Sequence, residues 1–120
     1  MPRSQKPIVC ICGSRAIDYI NLNMFINPSS VGQIISGGAI GIDLLAKQWA
    51  YANKIEYQEF KPNYKIFKDK APLMRDKDMV DYCDIVIAFW DGKSTGTAYT
   101  FNYAASIGRS CIIHKIISTD

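Results

Sequence analysis

The chain has 120 residues, 48% of them hydrophobic and 21% charged, and a net charge of +3 at pH 7. That length and balance fit one globular domain with a real core. They exclude a membrane span, since no stretch approaches roughly 18 apolar residues, and they give none of the concentrated basic stripe of a nucleic-acid binder.

Residues 1–7 read as a flexible lead-in. Ile8-Val9-Cys10-Ile11-Cys12 is a continuous apolar run, the pattern of a strand buried on both faces. It is too short for a signal h-region and has no cleavage site, so a cytoplasmic protein is expected. Asp18 suits the N-cap of a helix running to about Phe25, stopped by Asn27-Pro28-Ser29-Ser30. Gln33 to Ser36 is a short second strand. From about Gly41, the residues Ile42, Leu45, Ala46, Trp49 and Ala50 recur at helical spacing and predict a helix to about Asn53. Ile55 to Phe60 reads as a third strand, and Pro62 to Lys70 as a basic, aromatic loop. Pro72 fits the first turn of a helix carrying Leu73, Met74, Met79 and Val80. Ile85 to Trp90 is the clearest buried strand. Gly96 to Ile107 follows as a helix with Gly108 just beyond it, and Ser110 to Ile116 closes as a fifth strand.

Strands alternating with helices imply right-handed crossovers and a parallel sheet covered on both faces. The predicted fold is α/β: a single three-layer Rossmann-like domain over residues 1–120, with five parallel strands in the order 3-2-1-4-5. In that order strands one, two and four are neighbours. Their following loops then share one crevice at the carboxyl ends of the strands, where open α/β sheets bind ligands.

Those loops carry the chemistry. Gly13-Ser14-Arg15 follows the first strand, Ser36-Gly37-Gly38-Ala39-Ile40-Gly41-Ile42-Asp43 the second, and Ser94-Thr95-Gly96-Thr97 the fourth. A strand-to-helix turn of this kind aims free backbone N–H groups one way, aided by the positive end of the helix macrodipole. Glycine permits close approach, and Ser and Thr add hydroxyl donors. Phosphate capture is the chemistry this suits; plain turns and helix caps are the structural alternative. Arg15 and Arg75 are the best cationic partners, because a guanidinium makes bidentate contacts. Asp43 would repel a phosphate, so a role at its helix start competes with a ribose-hydroxyl contact. Trp90 either stacks a base or packs under its loop. Asp91 is the one carboxylate nominated for catalysis, and it has no evident partner.

The four cysteines, Cys10, Cys12, Cys83 and Cys111, invite a metal or a disulfide. Cys10 and Cys12 share one face of a strand and do not readily pair, and the one histidine, His114, is far off in sequence. Buried thiols acting as small hydrophobes are expected, with no metal and no required cofactor.

With these residues in place, the chain resembles the SLOG superfamily of Rossmann-like nucleotide-binding domains, above all its small YspA- and YpsA-related members. The matching pieces are Gly13-Ser14-Arg15, the loop from Ser36 to Asp43, Arg75 with Met79, and Ala88-Phe89-Trp90-Asp91-Gly92 followed by Ser94-Thr95-Gly96-Thr97. They span nearly the whole chain. The loop from Ser36 to Asp43 also looks like that of the DprA/Smf DNA-processing proteins, and Gly96-Thr97 is similar to the LOG phosphoribohydrolases. LOG-type enzymes carry a glutamate three residues beyond the Gly-Thr pair, where it works at the ribose centre; here that position is Thr100. A hydroxyl cannot replace a carboxylate that stabilises oxocarbenium-like charge or acts as a base. Relatives often have a basic residue at the position of Ile40 and an asparagine at that of Asp76.

The resemblance therefore implies binding of a nucleotide or nucleotide-derived ligand, ADP-ribose-like or a cyclic nucleotide, by a sensor or sequestering protein. A nucleotide-processing enzyme acting at an N-glycosidic bond is the alternative. A DprA-like single-strand DNA module is a third, against which the scattered charge counts. Tyr99, Phe101, Tyr103 and Ile107 make the last helix apolar on more than one side, so a homodimer through it is expected.

Overall fold

The computed structural model describes residues 6–117, and the expected lead-in at residues 1–5 lies outside the described residues. At the end of that segment, the Pro7 carbonyl accepts the Gly32 N–H at 2.9 Å, so Pro7 is already part of the fold.

Five strands, β1 (Ile8–Gly13), β2 (Gln33–Ser36), β3 (Glu56–Glu59), β4 (Ile85–Trp90) and β5 (Ser110–Lys115), form one sheet. Every neighbouring pair is parallel, and the order is β3-β2-β1-β4-β5. Among the described residues, four helices, α1 (Ile42–Ala52), the single turn α2 (Tyr64–Phe67), α3 (Ala71–Tyr82) and α4 (Thr95–Ser106), fill the connections. No helix among the described residues is long and apolar enough to cross a membrane.

The period-two alternation of the strands divides the core in two. Val9, Ile11, Ile34, Ile87 and Phe89 face α1 and pack with its Ile42, Ala46, Trp49 and Ala50. Ile8, Cys10, Cys12, Ile35, Val86 and Ala88 face the other way, onto Met79, Val80 and Cys83 and onto Ala104 of α4. Both faces of β1 and β4 are thus buried, which is why these strands read as unbroken apolar runs. Cys10, Cys12 and Cys83 are buried free thiols and Cys111 is half-buried beside them.

The β1–β2 crossover differs from expectation. No α-helix starts at Asp18, which is exposed. Two 3-10 turns, Leu22–Met24 and Pro28–Ser30, take its place. Asn21 Oδ1 accepts the Asn23 N–H at 3.1 Å, and Asn27 Oδ1 accepts the Ser29 N–H at 3.0 Å. Asparagine turns satisfy the backbone locally, and the stretch before Pro28 is too short to repay helix nucleation. The segment still covers the α1 face: Ile17, Leu22 and Ile26 are buried, and Trp49 Nε1 donates to Asn23 Oδ1 at 2.8 Å. The basic stretch 62–70 is likewise more ordered than a loop. Asn63 Oδ1 caps α2 by accepting the Ile66 N–H at 3.2 Å, and a 3-10 turn, Lys68–Lys70, leads into α3.

The aromatic residues of α4 find partners within the chain. Tyr103 OH donates to Asp81 Oδ1 at 2.7 Å, with Lys77 Nζ 5.4 Å from its ring centre. Phe101 stands edge-on to Trp90 at 5.1 Å. Much of the surface that composition leaves without a cover is therefore occupied by α3 and Trp90.

Candidate functional site

The loops after β1, β2 and β4 meet at one cavity of about 420 Å³. Gly13 and Arg15 come from the first loop, Ala39 and Asp43 from the second, and Asp91, Ser94, Gly96 and Thr97 from the β4–α4 junction. The fourth wall is α3, whose Pro72, Arg75, Asp76 and Met79 line the space at helical spacing. Thr100, one turn into α4, closes the floor.

Several predicted residues hold this arrangement without lining it. Ser14 is fully buried, and its Oγ accepts the Asp91 N–H at 3.1 Å, tying the β1 loop to the β4 loop. Ser36 Oγ donates to the Asp43 carbonyl at 3.1 Å and meets Tyr57 OH at 2.7 Å, so it braces the second loop from below. Gly41 is the N-cap of α1. Trp90 Nε1 donates to the Ser94 carbonyl at 3.0 Å while its ring packs on Phe101; it supports the loop from beneath. Thr95 is exposed at the first residue of α4.

Inside the second loop the protein places its own charged groups. Asp43 Oδ2 accepts the Ala39 N–H at 3.3 Å. Arg75 Nη1 donates to the Gly37 carbonyl at 2.8 Å and to the Phe60 carbonyl at 3.3 Å, and its Nε pairs with Asp76 Oδ1 at 2.7 Å. A Cβ on Gly37 would meet Arg75 Nη1 at 2.5 Å and Asp43 Oδ2 at 2.9 Å, and one on Gly38 would collide with the Glu59 carboxylate. Both glycines leave room for these side chains. Burial pushes the Asp43 carboxyl up to about 6, against the pull of the Ala39 amide and of Arg75. Burial also raises Asp76, opposed by Arg75.

The β4–α4 junction is built otherwise. Asp91 Oδ1 accepts the N–H groups of Lys93 and Ser94, each at 2.8 Å, and these amides hold its carboxyl below the ordinary range. An ionised Asp91, engaged through Oδ1, orders the loop and makes a poor proton donor. Ser94 Oγ caps the helix by accepting the Thr97 N–H at 3.3 Å. The N–H groups of Thr95 and Gly96 keep no partner among the described residues, as the first turn of any helix requires. A Cβ on Gly96 would meet nothing within 4 Å, so this turn is open. Arg15, exposed and lining the same cavity, has no ion-pair partner among the described residues.

The cavity therefore mixes donors and acceptors. Arg15 offers a guanidinium without an ion-pair partner among the described residues, and α4 offers its open first turn. Asp43, Asp76 and Asp91 offer carboxylates, and Arg75 is already committed to its own chain. Asp76 and Thr100 enter the site, although the sequence names them only as departures from relatives and not as ligand-binding residues. The signal for the α3 wall lies in the spacing of Pro72, Arg75, Asp76 and Met79, which puts them on one helical face. No family model, no curated protein and no solved structure matches this chain.

Proposed function

We propose that the chain is a SLOG-type domain that binds a nucleotide or nucleotide-derived ligand in this cavity, as a sensor or a sequestering protein. The convergence of an unpaired guanidinium, an open helix start and several carboxylates on one cavity is the observation that carries the reading. A phosphate fits against Arg15 and the open first turn of α4, where oriented amides and the helix dipole favour an anion. The ribose hydroxyls or an exocyclic amine of the base are donors, and they suit the acceptors Asp43 and Asp76 in the same lining. A volume of about 420 Å³ lies within the ordinary range of small-molecule sites.

The test is a thermal-shift panel of nucleoside monophosphates, ADP-ribose and cyclic nucleotides, with ribose and inorganic phosphate as controls. A ligand at 100 times its dissociation constant adds about 2.7 kcal/mol. At least one phosphorylated nucleoside is expected to stabilise the chain, and Arg15→Ala to lose that shift. A panel without any shift overturns the reading.

One observation favours a second reading, hydrolysis or transfer at an N-glycosidic bond. Thr100 Oγ1 donates to the Gly96 carbonyl at 3.1 Å, and Thr100 and Asp76 both line the cavity. A carboxylate from the α3 wall supplies the charge that the Thr100 hydroxyl lacks. Release of free base from a nucleoside monophosphate, lost in Asp76→Asn and kept in Asp91→Asn, is the result that selects this reading.

A further inference from the structure

We infer that two copies of this chain pair antiparallel along the outer edge of β5, joining their sheets across a twofold axis at Ile113. The two edges of the sheet differ in kind. β3 has four residues, Glu56-Tyr57-Gln58-Glu59, with a carboxylate at each end. Short length and charge are what keep a natural edge from recruiting another strand. β5 has six residues, Ser110-Cys111-Ile112-Ile113-His114-Lys115, without an acid or a proline. Its ladder to β4 runs unbroken from Ser110 to Lys115. Ile112 is 49% exposed and Ile113 46%, and alternation puts them on opposite faces. An edge that is long, regular and apolar on both faces is a template for pairing.

The backbone shows which groups are free. The Ile116 N–H donates to the Trp90 carbonyl at 2.8 Å, so Ile116 faces β4. Alternation along the strand then turns the N–H and C=O of Cys111, Ile113 and Lys115 outward. Among the described residues, no strand lies beyond β5 in the sheet.

A second copy satisfies those groups, and charge selects the register. Two twofold registers overlap the strands most fully. With Ile112 opposite Ile112 of the second copy, Lys115 falls opposite Arg109 of the second copy, and like charges directly opposite are destabilising. With Ile113 opposite Ile113, Cys111 falls opposite Lys115, and all three outward residues meet outward residues. No like charges are matched. Ile112 then lies beside His114 of the second copy, on the face where His114 already packs on Phe25 at 4.7 Å and Phe89 at 5.3 Å.

The experiment uses the full chain without ligand and reads its mass by light scattering over a range of concentrations. A dimer is expected. Ile113→Pro deletes an outward N–H and leaves the ladder to β4 intact, since proline is tolerated at such edge positions. It should raise the dimer dissociation constant roughly tenfold or more, with the circular dichroism unchanged. If that variant fails to fold, Ile113→Lys, which sets two cations together at the axis, provides the same comparison. In a Cys111→Ser background, Ile113→Cys should be captured as a covalent dimer by a short bismaleimide, and Tyr51→Cys on α1 should not. A monomer at every concentration overturns the inference. So does a dimer that survives Ile113→Pro or Ile113→Lys but is lost in Ile107→Lys, which would put the interface on α4.

Discussion

The loop after β2 and the loop after β4 both run from a strand into a helix beside the same cavity, and they are filled in different ways. In the first, the chain supplies its own anion and its own cation: Asp43 accepts the Ala39 amide, and Arg75 holds the Gly37 carbonyl. In the second, Asp91 and Ser94 cap the turn with their side chains and leave the space beside Gly96 empty. Glycine therefore serves two purposes here. At Gly37 it makes room for the protein; at Gly96 it borders open space. A glycine-rich turn is an anion site only where its amides are not already taken.

The comparison breaks most visibly at Arg75. Its side chain and that of Asp76 are only 11% and 13% exposed, so Arg75→Ala strands a carboxylate and two carbonyls. Removing one partner of such a pair costs about 3–5 kcal/mol, readable as a fall in the urea midpoint. Burial already raises Asp76, so the loss should be greatest at high pH and shrink as falling pH lets Asp76 take a proton.

Asp43→Asn comes next, and its sign depends on pH. The folded carboxyl titrates at about 6, above its ordinary 3.8, so the native state holds a proton that the unfolded chain has lost. That contribution is full below about pH 4 and disappears as pH rises through 6. At about 1.4 kcal/mol per pH unit, ionising Asp43 costs the fold about 3 kcal/mol. Asparagine does not ionise. The stability of Asp43→Asn relative to the parent should therefore climb between pH 4 and pH 7 in paired denaturation curves. A gap that stays level with pH would mean Asp43 is as well solvated as an ordinary surface acid.

Gly37→Ala tests the packing of the first loop directly. Its methyl would press on Arg75 Nη1 at 2.5 Å, and overpacking of this kind costs about 1–3 kcal/mol. In the double variant with Arg75→Ala, the two losses should fall short of their sum, because the second change removes what the first collides with. Simple additivity would show that Arg75 does not fill the loop.

How much of this was legible depends on how far apart the interacting residues lie. The apolar runs Ile8 to Cys12 and Ile85 to Trp90 declare central strands, and the alternation with helices leads to the observed sheet order. The shared cavity follows from that order. The crossover from Asp18 departs from the helix its sequence predicts because Asn21 and Asn27 compete for the same backbone groups that a helix would use. The occupants of the β2 loop were hidden for a different reason. Arg75 is 38 residues from Gly37 and reaches it only once β1, β2 and α3 have assembled. Local pattern names the amides of a turn; only tertiary packing decides what sits on them.

The smallest effect on stability carries the most information about function. Gly96 has no positive φ, and an added methyl there touches nothing within 4 Å. Alanine at a helical position that it can adopt without strain restricts the unfolded chain, so Gly96→Ala should stabilise by about 0.5–1 kcal/mol and raise the melting temperature by a few degrees. The same methyl stands beside the free amides of Thr95 and Gly96, where the phosphate of a bound nucleotide would approach. The variant should thus melt higher and yet show a weaker nucleotide-induced shift. Gly37→Ala should do the reverse, melting lower while keeping the shift. If Gly96→Ala binds as the parent does, the anion does not rest on α4, and Arg15 must hold it with some other part of the cavity.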